Sequence, residues 1–253
     1  MKSKSEELKT LVKDKYSEIA QNSAKGCCGD GVNSIMSESY ENLKGYTPDA
    51  DLELGCGIPI EHAGLKEGQH VLDLGSGAGN DLFVARSIVG DSGHLTGLDF
   101  SDEMNQKAEE NRKKLGYSNM EFLSGDIEQM PLEDDRFDVV LSNCVLNLVP
   151  DKHTAFSEIY RVLKPGGHFT ISDVVVEGTF SAEAKRSAEL YAGCVTGAID
   201  KSEYLDIIRS LGFKEVAVQN EREIEIPEDV LPESAKSSLG DARVLSITVT
   251  AVK

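Results

Sequence analysis

Between Gly68 and Val176 the chain alternates between two patterns of apolar and polar positions. Apolar runs at His70–Leu74, His94–Asp99, Met120–Leu123, Phe137–Ser142 and His168–Ser172, the last extending into Val174–Val176, read as strands. Asp81–Val89, Ser101–Leu115 and Asp151–Leu163 carry helical composition instead. Ser101 is placed to cap its helix, with Asp102 and Glu103 in the first turn and Gly116 at the end. The run Lys164-Pro165-Gly166-Gly167 predicts a stop after the Asp151 helix. Strands alternating with helices in this way predict an α/β domain with a largely parallel sheet.

The flanks are patterned differently. Ser5–Ala20 has helical composition, with Leu8, Leu11, Val12 and Tyr16 on one stripe. The glycine-rich stretch that follows carries Cys27 and Cys28 and reads as a loop. Ile35–Ile60 is irregular, punctuated by Gly45, Pro48, Gly55, Gly57 and Pro59. Beyond the alternating region, Ser181–Ala198 reads as a helix interrupted around Gly193-Cys194, and Lys201–Leu211 as a helix ended by Gly212. Lys214–Val218 and Val244–Val252 read as strands, the second alternating through Leu245, Ile247, Val249 and Ala251. The acidic, proline-containing Asn220–Leu239 reads as a surface excursion. The expected division is a helical, cysteine-bearing extension over residues 1–67 and one folded domain over 68–253.

Composition narrows the partners. A net charge of −18 weighs against nucleic acid and anionic membranes, and the absence of tryptophan weighs against base stacking. No stretch approaches the ~20 apolar residues of a membrane span. The N-terminus, MKSKSEELKTLVKDKYSEIA, lacks an apolar signal core, so the cytoplasm is the expected compartment. Five cysteines, an odd number, do not suggest a disulfide framework. A monomer acting on a small molecule is expected.

The densest chemistry lies at HVLDLGSGAGND, His70 to Asp81. A strand, a glycine turn and a helix start can bring backbone close to a ligand and present unpaired N–H groups to it. In open parallel sheets, ligands bind beyond the C-terminal ends of the strands, and Asp99, Asp126, Asn143 and Asp173 follow predicted strand ends. Asp99, about 20 residues past the turn, suits the two ribose hydroxyls of a nucleotide-like cofactor. Asp126 suits an adenine amino group, and Met104 or Ile127 an adenine face. A dinucleotide turn would read G-x-G-x-x-G, but position 80 is Asn80, and the acidic Asp73 inside the strand is unusual for that class.

VLDLGSGAGND, LDFS, SGDIEQMPL, FDVVLSN and the KPGG turn before HFTISD together resemble the class I S-adenosylmethionine-dependent methyltransferases over roughly residues 68–253. The resemblance implies a Rossmann-like, seven-stranded, mostly parallel sheet in the order 3-2-1-4-5-7-6, with the seventh strand antiparallel. It implies that Asp73 and the Gly75–Gly79 turn serve the methionine moiety, Asp99 the ribose, and Asp126 and Ile127 the adenine end. The residues expected around the cofactor are Asp73, Gly75, Ser76, Gly77, Asp99, Met104, Asp126, Ile127 and Asn143.

The cysteines bear on the methyl acceptor. Cys27, Cys28, Cys56, Cys144 and Cys194 each sit beside glycine or at the end of a predicted element. Small buried hydrophobes are the ordinary fate of free cysteines, but Cys144 directly follows the fourth strand, on the acceptor side of such a site. Soft sulfur ligands select thiophilic ions, and no paired C-x₂₋₄-C pattern favours structural zinc. A three-thiolate site suits trivalent arsenic, which keeps a lone pair opposite its sulfurs. A second resemblance is narrower and nearly end to end. KYSEIAQNSAKGCCG, LELGCGIP, SNCVLNLVPDK and ELYAGCVTGAI are similar to the arsenite S-adenosylmethionine methyltransferases. That family implies As(III) held by Cys56, Cys144 and Cys194, with Cys27 or Cys28, the latter favoured, in a thiol relay. It implies methyl transfer to the arsenic lone pair in arsenic detoxification, and an external thiol, glutathione or thioredoxin-like, as reductant. Two other readings stay open on the residues alone: a methyltransferase for a small organic acceptor, and a thiol-rich metalloid-binding protein.

Overall fold

The computed structural model describes residues 4–22, 36–178, 197–225 and 242–253. Its centre is a seven-stranded sheet in the order β3-β2-β1-β4-β5-β7-β6. The strands are β1 (His70–Leu74), β2 (His94–Asp99), β3 (Met120–Ser124), β4 (Phe137–Asn143), β5 (Leu163–Glu177), β6 (Lys214–Glu223) and β7 (Arg243–Val252). The first five run parallel to one another, and β7 lies antiparallel between β5 and β6. This is the strand order and the antiparallel seventh strand expected from the sequence.

The described residues add the α-helices α1 (Lys4–Asn22), α2 (Asn80–Val89), α3 (Asp102–Leu115), α4 (Lys152–Val162) and α5 (Lys201–Ser210), with short 3-10 turns at Pro59–His62 and Leu146–Leu148. The central strands are buried on both faces, which is why they read as continuous apolar runs. On one face Phe156 of α4 and Tyr204 of α5 meet edge-on at 5.3 Å, over Phe169 and Ile171 of β5. On the other, Leu82 and Phe83 of α2 and Met104 of α3 pack on Val71, Val139 and Leu141. Ser101 caps α3 as anticipated, its Oγ accepting the Met104 N–H at 3.2 Å. α1 lies beside α3: Ser17 Oγ donates to Glu103 at 2.6 Å, and Lys9 pairs with Asp126 and Glu128.

Three expectations change. Lys164-Pro165-Gly166-Gly167 does not separate helix from strand; β5 begins at Leu163 and the tetrapeptide buckles out within the ladder. Phe137 pairs with Leu163 but Val139 with His168, and Gly166, at φ +77°, makes that buckle possible. Second, β6 continues to Glu223, into the region expected as a surface excursion. An exposed edge strand needs only one pairing partner, so its acidic outer face carries no apolar alternation to read. Third, Asp173 lies within β5 and is fully buried, not beyond a strand end. The interrupted helix expected over Ser181–Ala198 falls outside the described residues except at its last two positions. Among the described residues, no helix is long and apolar enough to cross a membrane.

Candidate active site

The glycine turn is built by hydrogen bonds to the neighbouring strand. Leu98 O accepts the Gly75 N–H at 2.8 Å and the Ser76 N–H at 3.3 Å, drawing the chain across the top of β2. Gly75 (φ +67°) and Gly77 (φ +52°) adopt the left-handed region that a side chain strains. At Gly75 space is also lacking, since a Cβ would stand 2.3 Å from Val145 Cγ2. The turn therefore lies directly beneath the segment that follows Cys144.

Above it opens a cavity at the C-terminal ends of β1, β2 and β4. Asp73, Gly75, Ser76 and Gly77 line it from the first strand and its turn. Asp99, Met104, Asp126 and Ile127 line it from the second and third strands and their sequels. Asn143 and Cys144 line it from β4, and Lys9, Val12 and Tyr16 of α1 close it on the side of Asp126. All nine residues expected around the cofactor thus share one cavity with Cys144. Cys56 is the immediate neighbour of the lining residue Gly55 and is packed, at 0 % exposure, in the same apolar cluster as Cys144 at 2 %. Cys27, Cys28 and Cys194 lie outside the described residues.

The electrostatics of the cavity are lopsided. Asp73 is 3 % exposed; burial, and then the nearby carboxylates of Asp81 and Asp99, hold its carboxyl well above the usual range. Burial pushes Asp81 up to about 6, against hydrogen bonds from Tyr40 and Asn143. Asp99 is raised by burial despite accepting backbone N–H bonds from Ser101 and Gly77, the latter at 3.0 Å. Three desolvated carboxylates facing one space favour a cation there. Ser76 Oγ is buried with no hydrogen-bond partner in the described structure, a polar atom left for a ligand. An adenosyl group bearing a positively charged methionine end matches this donor and acceptor set. At the far end Asp126 meets the Lys9 Nζ at 2.6 Å, so α1 supplies a cation beside the predicted adenine position.

The cysteine side is braced from below. Cys144 has φ +60°, a strained conformation for a residue with a side chain, and its N–H donates to Ser172 O at 2.8 Å. The segment after it is held by Lys152, whose buried Nζ donates to the carbonyls of Asn147 and Val149, both at 3.0 Å. Asp173 accepts the Tyr204 hydroxyl at 3.0 Å and the backbone N–H of Asn147. Burial pushes Asp173 up to about 6, and Lys152 pulls it back. Burial first, and then the carboxylate of Asp173, hold the Tyr204 hydroxyl well above its usual range.

Sequence reasoning missed Tyr40, Asp81, Lys152 and Tyr204. Asp81 was visible only as a helix-start residue, and Lys152 and Tyr204 read as ordinary positions of amphipathic helices. Tyr40 sits in an irregular stretch with no periodic signal. Its hydroxyl nevertheless donates to Asp81 Oδ1 at 2.8 Å in the cavity wall.

Comparison with known proteins bears on this site. A methyltransferase-domain family model matches residues 65–212. An arsenite methyltransferase of Halobacterium salinarum is 39% identical over 231 residues, which cover 84% of this chain and 59% of the relative. The arsenite methyltransferase of Aquipseudomonas alcaligenes is 33% identical over 249 residues, covering 94% of this chain and 70% of the relative. The crystal structure of an arsenic(III) S-adenosylmethionine methyltransferase from Chlamydomonas reinhardtii superposes with a TM-score of 0.69 at 39% identity, covering 79% of this chain and 67% of that one. The chain therefore spans between about three-fifths and seven-tenths of the length of these relatives.

Proposed function

The chain belongs to the arsenite methyltransferase family, and from that membership and the cavity's geometry we propose that it methylates trivalent arsenic with S-adenosylmethionine as the methyl donor. The observation that carries the proposal is a single cavity with buried carboxylates at one end and Cys144, backed by Cys56, beside them. In this reading residues 68–253 form the methyltransferase domain. Residues 1–67 are an extension whose described part closes the donor cavity and brings Cys56 to it.

S-adenosylmethionine, when bound, supplies an electrophilic methyl group that an arsenic lone pair can accept without a general base. The chain's own residues bind, orient and exclude water. Asp73 and Asp81 would offset the positive methionine end, and Ser76 Oγ with the Gly75–Gly77 backbone would meet its polar groups. Asp99 would accept from the ribose hydroxyls, Met104 and Ile127 would pack on the adenine, and Asp126 would receive its amino group. Asn143 stands between the donor and the thiols. Arsenite exchanges onto Cys56, Cys144 and Cys194; each new As–S bond replaces an As–O or As–S bond, and the thiol proton leaves with the departing hydroxide or thiol. Cys28, or Cys27, passes arsenic inward by the same exchange. Cavity walls that hold the arsenic lone pair toward the donor and keep water out do most of the catalytic work. Methyl transfer would release S-adenosylhomocysteine and take arsenic formally from As(III) to As(V); two cysteine thiolates would return the electron pair by closing to a disulfide, which an external glutathione or thioredoxin-like thiol would reduce by thiol–disulfide exchange. The setting is arsenic detoxification in a reducing cytoplasm.

The test is methyl transfer from labelled S-adenosylmethionine to arsenite by Cys56→Ser and Cys144→Ser, made separately. Loss of transfer with cofactor affinity retained is expected in both. Full activity in both variants, or transfer to an organic acceptor with no response to arsenite, overturns the proposal.

A further inference from the structure

Asn143 ends β4 immediately before Cys144, and every polar atom of its side chain is engaged with protein. Its Oδ1 accepts the backbone N–H of Cys56 at 3.0 Å. Its Nδ2 donates to Gly57 O and to the Tyr40 hydroxyl, both at 2.9 Å, and lies 3.4 Å from Asp81 Oδ2. Tyr40 hands the chain on, donating to Asp81 Oδ1 at 2.8 Å. The fit is tight: a Cβ at Gly55 would stand 2.6 Å from Asn143 Nδ2, so the Gly55-Cys56-Gly57 backbone is pressed onto the carboxamide. One side chain, on the residue that precedes Cys144 in the chain, therefore grips the segment bearing Cys56 and is wired through Tyr40 to the Asp81 carboxylate.

We infer that Asn143 is a positioning residue that couples the two halves of the site, so that filling the donor end strengthens thiolate capture of arsenic and the reverse. The inference rests on the function proposed above. Its physical basis is the hydrogen-bond chain through Asp81. The Asp81 carboxylate accepts from Tyr40 in a low-dielectric wall, so a donor cation that draws this carboxylate toward itself shifts the Tyr40 hydroxyl and, through it, the Asn143 amide. Those donors are also what hold Gly57 and, through the same amide, Cys56. Arsenic bridging Cys56 and Cys144 fixes the same amide from the other side. Any such coupling is reciprocal: each ligand changes the other's affinity by one and the same factor. A direct donor contact by Asn143 is the lesser role, because both N–H donors of its amide are already engaged with Gly57 and Tyr40.

The experiment measures As(III) binding by equilibrium dialysis with mass-spectrometric detection, and S-adenosylhomocysteine binding by calorimetry, each with and without the other. S-adenosylhomocysteine keeps the ammonium group and cannot be turned over. The wild-type chain is expected to show a coupling factor of at least about fivefold, equal in both directions. In Asn143→Ala the factor falls to about one, As(III) alone binds about tenfold more weakly, and S-adenosylhomocysteine alone stays within about threefold of wild type. In Tyr40→Phe, which keeps the amide and cuts the relay, As(III) alone stays within about threefold while the factor again falls to about one. Tyr40→Phe decides the question if Asn143→Ala fails to fold. No coupling in the wild type, undiminished coupling in the variants, or a loss in Asn143→Ala confined to S-adenosylhomocysteine overturns the inference. A wild-type chain that fails to bind As(III) or S-adenosylhomocysteine at all refutes the proposed function instead, and the inference falls with it.

Discussion

Removing the charge of Asp81 should stabilise the ligand-free protein while weakening the donor. Asp81 is 8 % exposed, and burial raises its carboxyl to about 6 in spite of the hydrogen bonds from Tyr40 and Asn143. An aspartate in the unfolded chain titrates near ~3.9. The folded protein thus binds the extra proton between about pH 4 and pH 6, and stability falls as pH rises through that window. Roughly two pKa units at about 1.4 kcal/mol each mean that ionised Asp81 costs the ligand-free protein about 3 kcal/mol at neutral pH. Asp81→Asn keeps the shape and an acceptor for Tyr40 and discards the charge; it also relieves Asp73, whose carboxyl the Asp81 charge pushes up. The expected gain is about 1–3 kcal/mol at pH 7.5, read in calorimetry as a Tm rise of about 2–10 °C for a chain of this size. At pH 4.5, where wild-type Asp81 is already mostly protonated, the gain should shrink below about 1 kcal/mol. Affinity for S-adenosylmethionine should fall at least about tenfold, because a desolvated cation loses a counter-charge. A variant no more stable than wild type at pH 7.5, or one whose gain is the same at both pH values, would refute the reasoning about burial. Unchanged donor affinity would show that the carboxylate does not face the cation.

Two further outcomes follow from the geometry. Gly75→Ala meets both a positive φ and a Cβ 2.3 Å from Val145 Cγ2, so it should destabilise the fold by about 2 kcal/mol in urea unfolding and reduce donor affinity at least about tenfold. Lys152→Met leaves Asp173 buried beside Tyr204 without its cation and the Asn147 and Val149 carbonyls without their donor, and should cost about 3 kcal/mol. Lys152→Met combined with Asp173→Asn should recover at least half of that loss; a purely additive double variant would show that the two groups do not interact.

Much of the fold was legible because a parallel strand buried on both faces is apolar at most of its positions and does not alternate. β1, β2 and β4 therefore stand out in the sequence to within a residue of their observed limits. The glycine turn was legible for a related reason: positive φ and close approach leave few residues able to occupy Gly75 and Gly77. Asp99 and Asp126 could be found from spacing alone, since the sheet brings the ends of consecutive parallel strands together. β6 was only half visible, because an edge strand with an exposed acidic face satisfies itself through backbone pairing.

What the tertiary structure alone decided is how the buried carboxylates and the segment bearing Cys56 are joined. Nothing in local sequence links Tyr40, Cys56, Asp81 and Asn143, which come from an irregular N-terminal stretch, a helix start and a strand end. Their hydrogen bonds exist because β1 and β4 lie side by side and the N-terminal segment crosses above them. The raised carboxyls of Asp73, Asp81 and Asp173 have the same origin, since desolvation belongs to the packed interior and not to the residue. Residue types and spacing state which chemistry the chain can support; the distances that let one amide hold both halves of the site arise only when the sheet has formed.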